Sequence, residues 1–229
     1  MTVAGPETDV RRFAADGTRI FAYGTRETDY LAERDPRLGE VIAAVGHVER
    51  PVDPDLCSSV IHQIIGQQIS TKALATIWAR TQAALGEVTP GSLLAAGEER
   101  LQSFGMSHRK AQYITAFARK VDSGQFDLEA LRHMDDAEAT AALCTLDGVG
   151  VWTAEMILLF CMERPNVLSF GDLAIQRGLH MVHHHRRITP ALHRRYLRRY
   201  TPYASVASLY LWEVAGGAIP GLKDLAPKR

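Results

Sequence analysis

Cysteine is scarce in this sequence: there are only three, Cys57, Cys144 and Cys161, and no two are spaced as C-x-x-C. Three thiolates cannot supply the four ligands that an iron–sulfur cluster requires. All three lie in apolar helical patterns, so we expect buried free thiols rather than disulfides.

Long apolar runs are also lacking. No uninterrupted run approaches the roughly 18 to 20 residues of a membrane span, and the N-terminus does not show the charged and then apolar order of a signal peptide. The sequence therefore predicts a cytoplasmic protein that does not associate with a membrane.

Acidic residues are missing from one stretch, although the whole chain has 26 basic and 26 acidic side chains. From Leu173 to Trp212 there are seven Arg, five His and no Asp or Glu. Such a stretch favours a phosphate-facing surface, although a charged helix face is more often merely solvated. The consecutive His183, His184 and His185 point in different directions on a helix, so we assign them to the basic surface rather than to a metal site.

Strand patterns are lacking after residue 28. Helical patterns separated by glycine and proline fill the rest of the chain, so the fold is expected to be all-α. One of these patterns, residues 55–80, is interrupted at Gly66-Gln67-Gln68 and predicts two helices joined by a turn. Residues 1–28 contain a DG turn between short apolar and basic runs, which fits either a small hairpin or an extended arm.

The most informative segment is LDGVG, residues 146–150, which lies between an apolar run and an apolar-periodic helix. This order predicts a helix, a tight hairpin and a second helix. We expect Gly148 and Gly150 to supply a positive φ and bare backbone, and their amides at a helix N-terminus favour an anion such as phosphate. The segment lacks the Lys-Ser/Thr of a P-loop and the third glycine of a dinucleotide fingerprint. A plain helix-turn-helix stays open at this point.

Asp172 lies between a loop, residues 165–171, and a new helical pattern that starts at Leu173. It is expected to cap that helix by accepting hydrogen bonds from the first amides. A helix N-terminus also favours an ionised carboxylate, so the same side chain can face a developing positive charge.

Four segments together resemble one enzyme family. LCTLDGVGVWTA followed by FGDLAIQRG is similar to the helix-hairpin-helix DNA glycosylases with a Gly-Pro-Asp-type catalytic segment, and within them to the 3-methyladenine DNA glycosylase II (AlkA) group. The segments SVIHQIIGQQISTKALATI, LQSFGMSHRKAQYI and YTPYASVASLYLW match in the family's order. The chain starts too late to contain the mixed α/β domain of AlkA, so it resembles the shorter members.

The resemblance implies two helical lobes with a DNA- and base-binding cleft between them. Residues 29–54 plus 166–229 would form a flanking lobe, residues 55–165 a central lobe that ends in the helix-hairpin-helix, and residues 1–28 an N-terminal arm. It also implies a monomer that binds double-stranded DNA containing damaged bases, in the cytoplasm at the nucleoid.

Asp172 is the catalytic residue that the resemblance implies. Breaking an N-glycosidic bond, once the base has been rotated out of the stack, builds positive charge on the sugar; a carboxylate stabilises that charge and can orient or deprotonate water. An alkylated purine already carries positive charge, so no second carboxylate is needed. Members that also cut the strand have a lysine where this chain has Trp152, and because an indole cannot form an imine, no lyase activity is expected.

Trp152, Met156 and Trp212 match positions that form an aromatic base pocket in AlkA, although such tryptophans are also typical of core packing. An electron-rich ring attracts a cationic base. AlkA has a tyrosine at the position of Met156, so the flexible thioether suggests a broader or altered substrate range.

Gln68 matches the residue that fills the gap left by the extruded base, and because it is polar we expect it to hydrogen-bond the orphaned partner base; it can instead be a solvated turn residue. The resemblance assigns DNA contacts to Gly148, Val149, Gly150, Thr153 and Arg177. Relatives often bind Na⁺ or K⁺ through hairpin carbonyls, here those of Cys144, Leu146 and Val149. No other cofactor is expected.

The sequence therefore predicts a monofunctional DNA glycosylase for alkylated bases such as 3-methyladenine and 7-methylguanine, acting in base excision repair. Two alternatives stay open: a glycosylase of the same superfamily for deaminated or mismatched bases, and a non-catalytic helix-hairpin-helix module that only binds DNA.

Overall fold

The computed structural model describes residues 9–225 of the chain. They form two compact units: the first contains the described residues up to Val52 and from Glu163 onward, and the second is Asp53–Met162. Helices make up most of both units, and the only sheet among the described residues has two strands, which confirms the all-α prediction. None of the described helices is long and apolar enough to cross a membrane.

The described elements follow the glycine, proline and capping residues of the sequence. In chain order they are β1 Arg11–Phe13, β2 Arg19–Tyr23, α1 Thr25–Arg34, α2 Pro36–Val45, α3 Leu56–Gly66, α4 Thr71–Leu85, α5 Pro90–Ser103, α6 His108–Asp122, a 3₁₀ helix Glu129–His133, α7 Asp136–Leu143, α8 Val151–Phe160, α9 Leu173–His183, α10 Pro190–Tyr200 and α11 Ala204–Gly216.

The N-terminal part of the first unit is a small antiparallel hairpin of β1 and β2, so the hairpin interpretation of the DG turn is the correct one. Residues 1–8 of the predicted arm lie outside the described residues. The first helix begins at Thr25, within residues 1–28, because the Glu27 carboxylate accepts the Gly24 N–H at 2.8 Å and stabilises the first turn there.

Helix α9 packs closely against α11 in the same unit. A Cβ built on Gly178 would lie 2.4 Å from the backbone oxygen of Leu211, so only glycine permits this approach. Helix α11 is buried along most of its length. Because α9 starts at Asp172, this contact fixes the helix that carries the predicted catalytic residue.

A polar cluster, formed by the buried Asp35, His183, Tyr196 and Tyr200 and the half-buried His185 and Arg199, joins α2, α9 and α10. Asp35 is only 2% exposed, and its Oδ2 accepts hydrogen bonds from Arg199 Nη1 at 3.0 Å and from the Tyr200 hydroxyl at 2.9 Å. Its Oδ1 caps α2 through the Leu38 N–H. The charge of Asp35 is thus shared among partners that hold three helices together.

His183 belongs to this cluster, so the prediction that all three consecutive histidines form the basic surface is wrong at His183. The residue continues the buried face of α9, with its ring stacked on Tyr196 at 4.5 Å, whereas His184 ends the helix in a left-handed conformation and is exposed. Burial lowers the pKa of His183 to about 4, with smaller contributions from neighbouring cations. Asp35, 3.4 Å away, opposes this shift but is already paired with Arg199.

In the second unit, α3 packs against α4, α6 and α8, and the predicted turn between α3 and α4 is confirmed. Residues 90–103 form one helix, α5, with a kink at Gly97, where φ is +71°. The prediction of buried free thiols is confirmed for Cys57 and Cys161, while Cys144 is free but only half-buried. Burial raises the pKa of both buried thiols to about 12.

Candidate functional site

The hairpin between α7 and α8 is a tight turn built on Gly148. The Val149 N–H donates to the Leu146 carbonyl at 3.1 Å, which closes the turn. Gly148 has a φ of +81°, a conformation that is strained for any residue with a side chain. Gly150 has a φ of −97°, so the predicted positive φ is confirmed at Gly148 and wrong at Gly150.

Gly150 is the N-cap of α8 and leaves the start of this helix open. The first helical hydrogen bond runs from Ala154 to the Gly150 carbonyl, so the amides of residues 151–153 have no acceptor within the helix. A Cβ built on Gly150 would meet no atom within 4 Å, and Val151 is 59% exposed. Bare backbone and first-turn N–H groups at the positive end of a helix can receive a phosphate.

The ring of Tyr113, on α6, packs directly against Gly148. A Cβ at Gly148 would lie 2.3 Å from the Cδ2 atom of this ring. Arg109, one turn earlier on α6, lies over the same ring, and its Nε donates to the Tyr113 hydroxyl. Glycine at position 148 is therefore required both by its backbone conformation and by the ring beneath it.

Gln67 connects the turn between α3 and α4 to the hairpin. Its Nε2 donates to the Gly148 carbonyl at 2.7 Å and to the Thr153 hydroxyl at 3.3 Å. The Thr153 side chain is buried and engaged in this way, so its predicted contact with DNA can come from its backbone amide rather than from its hydroxyl.

Lys110 supports the same turn from α6. Its Nζ donates to the Ile65 carbonyl at 2.8 Å and to the Gln67 carbonyl at 2.6 Å. A cation at the C-terminus of α3 complements the negative end of the helix dipole. Burial lowers the pKa of Lys110, because the ammonium has given up water for these two carbonyls.

Gln68 has the opposite orientation to Gln67. It is exposed and has a φ of +56°, an uncommon conformation for a residue with a side chain. It borders a cavity of about 310 Å³ whose other lining residues are Gln67, Ser107, Arg109, Lys110, Tyr113 and Gly148. The predicted gap-filling residue therefore projects from a turn that is fixed on its inner side.

In the first unit, Asp172 caps α9, as the sequence predicts. Its Oδ1 accepts the N–H groups of Ala174 at 2.8 Å and Ile175 at 2.9 Å, and the residue is 7% exposed. Two large apolar side chains flank it at the surface, Phe170 at 37% and Leu173 at 71% exposure. Gln176 Nε2 donates to the Phe170 carbonyl at 2.7 Å and holds the preceding loop against α9.

The predicted pocket residues lie on two helices. Trp152, in the first turn of α8, is 40% exposed, whereas Met156, one turn later, is 3% exposed. Trp212 lies on α11 in the first unit, and the Arg50 guanidinium carbon is 5.7 Å from its ring centroid. Because that cation already draws on the electron density of the indole, Trp212 attracts a cationic base less than an indole without such a neighbour.

The basic stretch that follows Asp172 is partly neutralised by distant acidic residues. Arg177 Nε lies 3.5 Å from Asp224 Oδ2, and Arg199 is paired with Asp35. Five further arginines of the stretch are exposed, namely Arg186, Arg187, Arg194, Arg195 and Arg198. These five give the first unit a cationic surface.

The carbonyls proposed for a monovalent cation belong to Cys144, Leu146 and Val149. The Leu146 carbonyl already accepts the Val149 N–H, but a carbonyl oxygen has a second lone pair. Oxygen donors suit a hard cation, whereas Lys120 Nζ, 3.1 Å from the adjacent Thr145 carbonyl, opposes one. No group of three or more His, Cys, Asp or Glu residues that could hold a metal ion occurs within residues 9–225.

Three residues around the hairpin are absent from the sequence-based predictions: Gln67, Lys110 and Tyr113. The paired glutamines give a weak signal, since adjacent residues in a turn commonly point to opposite sides. For Lys110 and Tyr113 the sequence offers only a helix that follows a Ser107 cap, and their contacts depend on how α6 packs against α3.

A family model described as HhH-GPD superfamily base excision DNA repair protein matches residues 61–202. The chain is 28% identical over 171 residues to YfjP of Bacillus subtilis, covering 70% of this chain and 59% of the relative. It is 27% identical over 190 residues to DNA-3-methyladenine glycosylase 2 of Escherichia coli, covering 78% and 64%. This chain thus spans less than two thirds of the length of both relatives.

A solved structure resembles most of this chain. The crystal structure of a DNA-3-methyladenine glycosidase from Bacillus halodurans matches with a TM-score of 0.73 and 32% sequence identity, covering 83% of this chain and 89% of that chain. The residues that the family model matches include the α3–α4 turn, the hairpin and Asp172.

Proposed function

Because this chain belongs to the HhH-GPD superfamily of base excision DNA repair proteins, we propose that it is a monofunctional DNA glycosylase that removes alkylated bases from duplex DNA. The observation that carries this proposal is the placement of Asp172 as the buried cap of α9, flanked by exposed apolar side chains. A carboxylate with one oxygen fixed by two backbone amides is held rigidly, as a group that stabilises a transition state must be.

The reaction is hydrolysis of the bond between the sugar C1′ and the base nitrogen. An alkylated purine such as 3-methyladenine or 7-methylguanine carries a positive charge and leaves with the bonding electrons as a neutral base. Positive charge develops on the sugar, where Asp172 stabilises it; water then adds to C1′ and loses a proton. The products are a free base and an abasic site.

Trp152 argues for hydrolysis without strand cleavage. Cleavage through an imine requires an amine nucleophile, and this position at the start of α8 holds an indole instead. Trp152, Met156 and Trp212 are proposed to receive the extruded base. With Arg50 over the Trp212 ring, the exposed Trp152 is the stronger candidate for stacking on a cationic base.

The grip on DNA is proposed to come from the open start of α8 at Gly148, Val149 and Gly150, with the Thr153 amide, and from Gln68 as the side chain that fills the gap. Arg177 would have to exchange Asp224 for a phosphate. These contacts carry no sequence information, which suits a protein that surveys a genome as a monomer at the nucleoid. A Na⁺ or K⁺ at the hairpin carbonyls would strengthen the grip.

A second candidate is excision of deaminated or mismatched bases. The cation beside Trp212 favours it, because it reduces the preference of that indole for a positively charged base. Incubation with separate duplexes that carry methylated, deaminated or mismatched bases distinguishes the two candidates by which base is released.

The proposed function is tested by measuring release of free methylated bases from alkylated duplex DNA, with the chain unaltered and with Asp172→Asn. We expect release that requires Asp172 and strand breaks only after alkali treatment. Binding to DNA without release of any base would instead support a non-catalytic module.

A further inference from the structure

The turn that presents Gln68 is held by side chains from other parts of the second unit. At its start, the Ile65 and Gln67 carbonyls both accept from Lys110 Nζ, at 2.8 and 2.6 Å. The backbone hydrogen bond from the Gln67 N–H to the Ile64 carbonyl at this end of α3 is long, at 3.4 Å. Lys110 therefore fixes the exit of α3.

The same turn is attached to the hairpin by Gln67. Its side-chain amide bonds to the Gly148 carbonyl and the Thr153 hydroxyl, which belong to the turn of the hairpin and the first turn of α8. The hairpin in turn rests on Tyr113, which lies on α6 one turn after Lys110. Ile65 and Gln67 at the end of α3, the hairpin at Gly148 and one face of α6 thus form a closed set of contacts.

We propose that Lys110 and Gln67 are positioning residues for base extrusion. They hold Gln68 at a fixed distance from the amides at the start of α8, so that the side chain enters the DNA stack where the phosphates are gripped. The proposal rests on the proposed glycosylase function and on the role of Gln68 within it. Neither positioning residue needs to touch DNA, because Gln67 points inward and the Lys110 ammonium is turned to carbonyls.

The consequence of a displaced Gln68 depends on the substrate. Extrusion from an intact pair requires unstacking, unpairing and filling of the gap, whereas a base without a partner is extruded at less cost. A misplacement of about 1 Å in such a contact can reduce a rate about 100-fold. The excision rate should therefore fall for a lesion that has a partner base and change little for a lesion that has none.

The test is single-turnover excision of one alkylated purine in a synthetic duplex, placed opposite either its normal partner base or an abasic site. For Lys110→Met and Gln67→Leu we expect the paired lesion to be excised about 10- to 100-fold more slowly and the unpaired lesion less than about threefold more slowly. Lys120→Met is the matched control, since Lys120 also lies on α6 and donates to a carbonyl, that of Thr145. It should leave the ratio of the two rates unchanged.

A double variant distinguishes two causes of slower excision, a displaced Gln68 and a smaller amount of folded protein. If Lys110 acts through Gln68, Lys110→Met combined with Gln68→Ala should be no slower on the paired lesion than the slower single variant. Equal losses on the two substrates, or multiplied losses in the double variant, would overturn the proposal.

Hydrogen exchange distinguishes failure of this proposal from failure of the proposed function. Backbone amides of residues 66–70 should exchange faster in Lys110→Met than in the unaltered chain or in Lys120→Met. If the unaltered chain releases no base, the proposed glycosylase function is wrong, and the positioning proposal is wrong with it. Hydrogen exchange would still show whether Lys110 holds the turn. Base release with unchanged exchange in Lys110→Met would overturn the positioning role alone.

Discussion

Gly148 faces the ring of Tyr113 so closely that an added Cβ would lie 2.3 Å from the ring carbon Cδ2. The turn of the hairpin therefore rests on an aromatic side chain from α6. The same glycine accepts the Gln67 amide through its carbonyl. One residue thus links the hairpin to both α6 and the α3–α4 turn.

Replacing Gly148 with alanine should destabilise the second unit. The methyl group meets the Tyr113 ring, and the φ of +81° is strained for alanine, so we expect a loss of about 2 to 4 kcal/mol in the free energy of unfolding. Urea denaturation measures this loss. Gly150→Ala is the control, because its φ is −97° and the space around it is open; a comparable loss there would contradict the account.

Gly178→Ala should disrupt the packing of α9 on α11. The new methyl group would lie 2.4 Å from the Leu211 backbone oxygen, which cannot move without shifting a buried helix, so we expect a drop of at least about 2 kcal/mol in stability. Gly216→Ala, at the end of α11 with no atom near the added carbon, should be neutral or stabilising by about 0.5 kcal/mol. Thermal unfolding of the two variants checks the contrast, and equal melting temperatures would refute it.

Acid should destabilise the first unit through His183. The unfolded chain protonates this histidine near pH 6.5, whereas the folded chain keeps it neutral to about pH 4, so its contribution is complete above pH 6.5 and lost as the pH falls toward 4. The full loss is on the order of 3 kcal/mol. Denaturation at a series of pH values should show a shallower decline for His183→Gln than for the control His184→Asn. Parallel declines would mean that His183 is not the titrating group.

The sequence predicts much of the helical framework because its helices start and end at residues with a clear local preference. Asp35, Asp55 and Ser70 cap helices by accepting first-turn amides, and Gly46 ends α2 with a positive φ. Such preferences are local. They allow the two helices on either side of residues 66–70, and the cap at Asp172, to be predicted from the sequence without tertiary information.

Features that depend on tertiary packing cannot be predicted from these local preferences. His183 and His184 are adjacent residues of the same type, and the sequence does not distinguish them. His183 is nevertheless buried beside Asp35 and His184 is exposed, because the helix ends between them. Gly148 and Gly150 also look equivalent, but only Gly148 has a positive φ. The contacts of Lys110 join residues more than forty positions apart and follow only from the packing of α6 against α3.

The central claim is that Asp172 performs the chemistry of base release, and Asp172→Asn tests it most directly. Asparagine caps a helix about as well as aspartate, so the free energy of unfolding should change by less than about 0.5 kcal/mol and DNA affinity should persist. The measurement is single-turnover release of methylated bases from alkylated duplex DNA. We expect a rate at least about 100-fold lower than that of the unaltered chain, which itself leaves strands intact until alkali is added. Release by Asp172→Asn within about threefold of the unaltered rate would contradict the account.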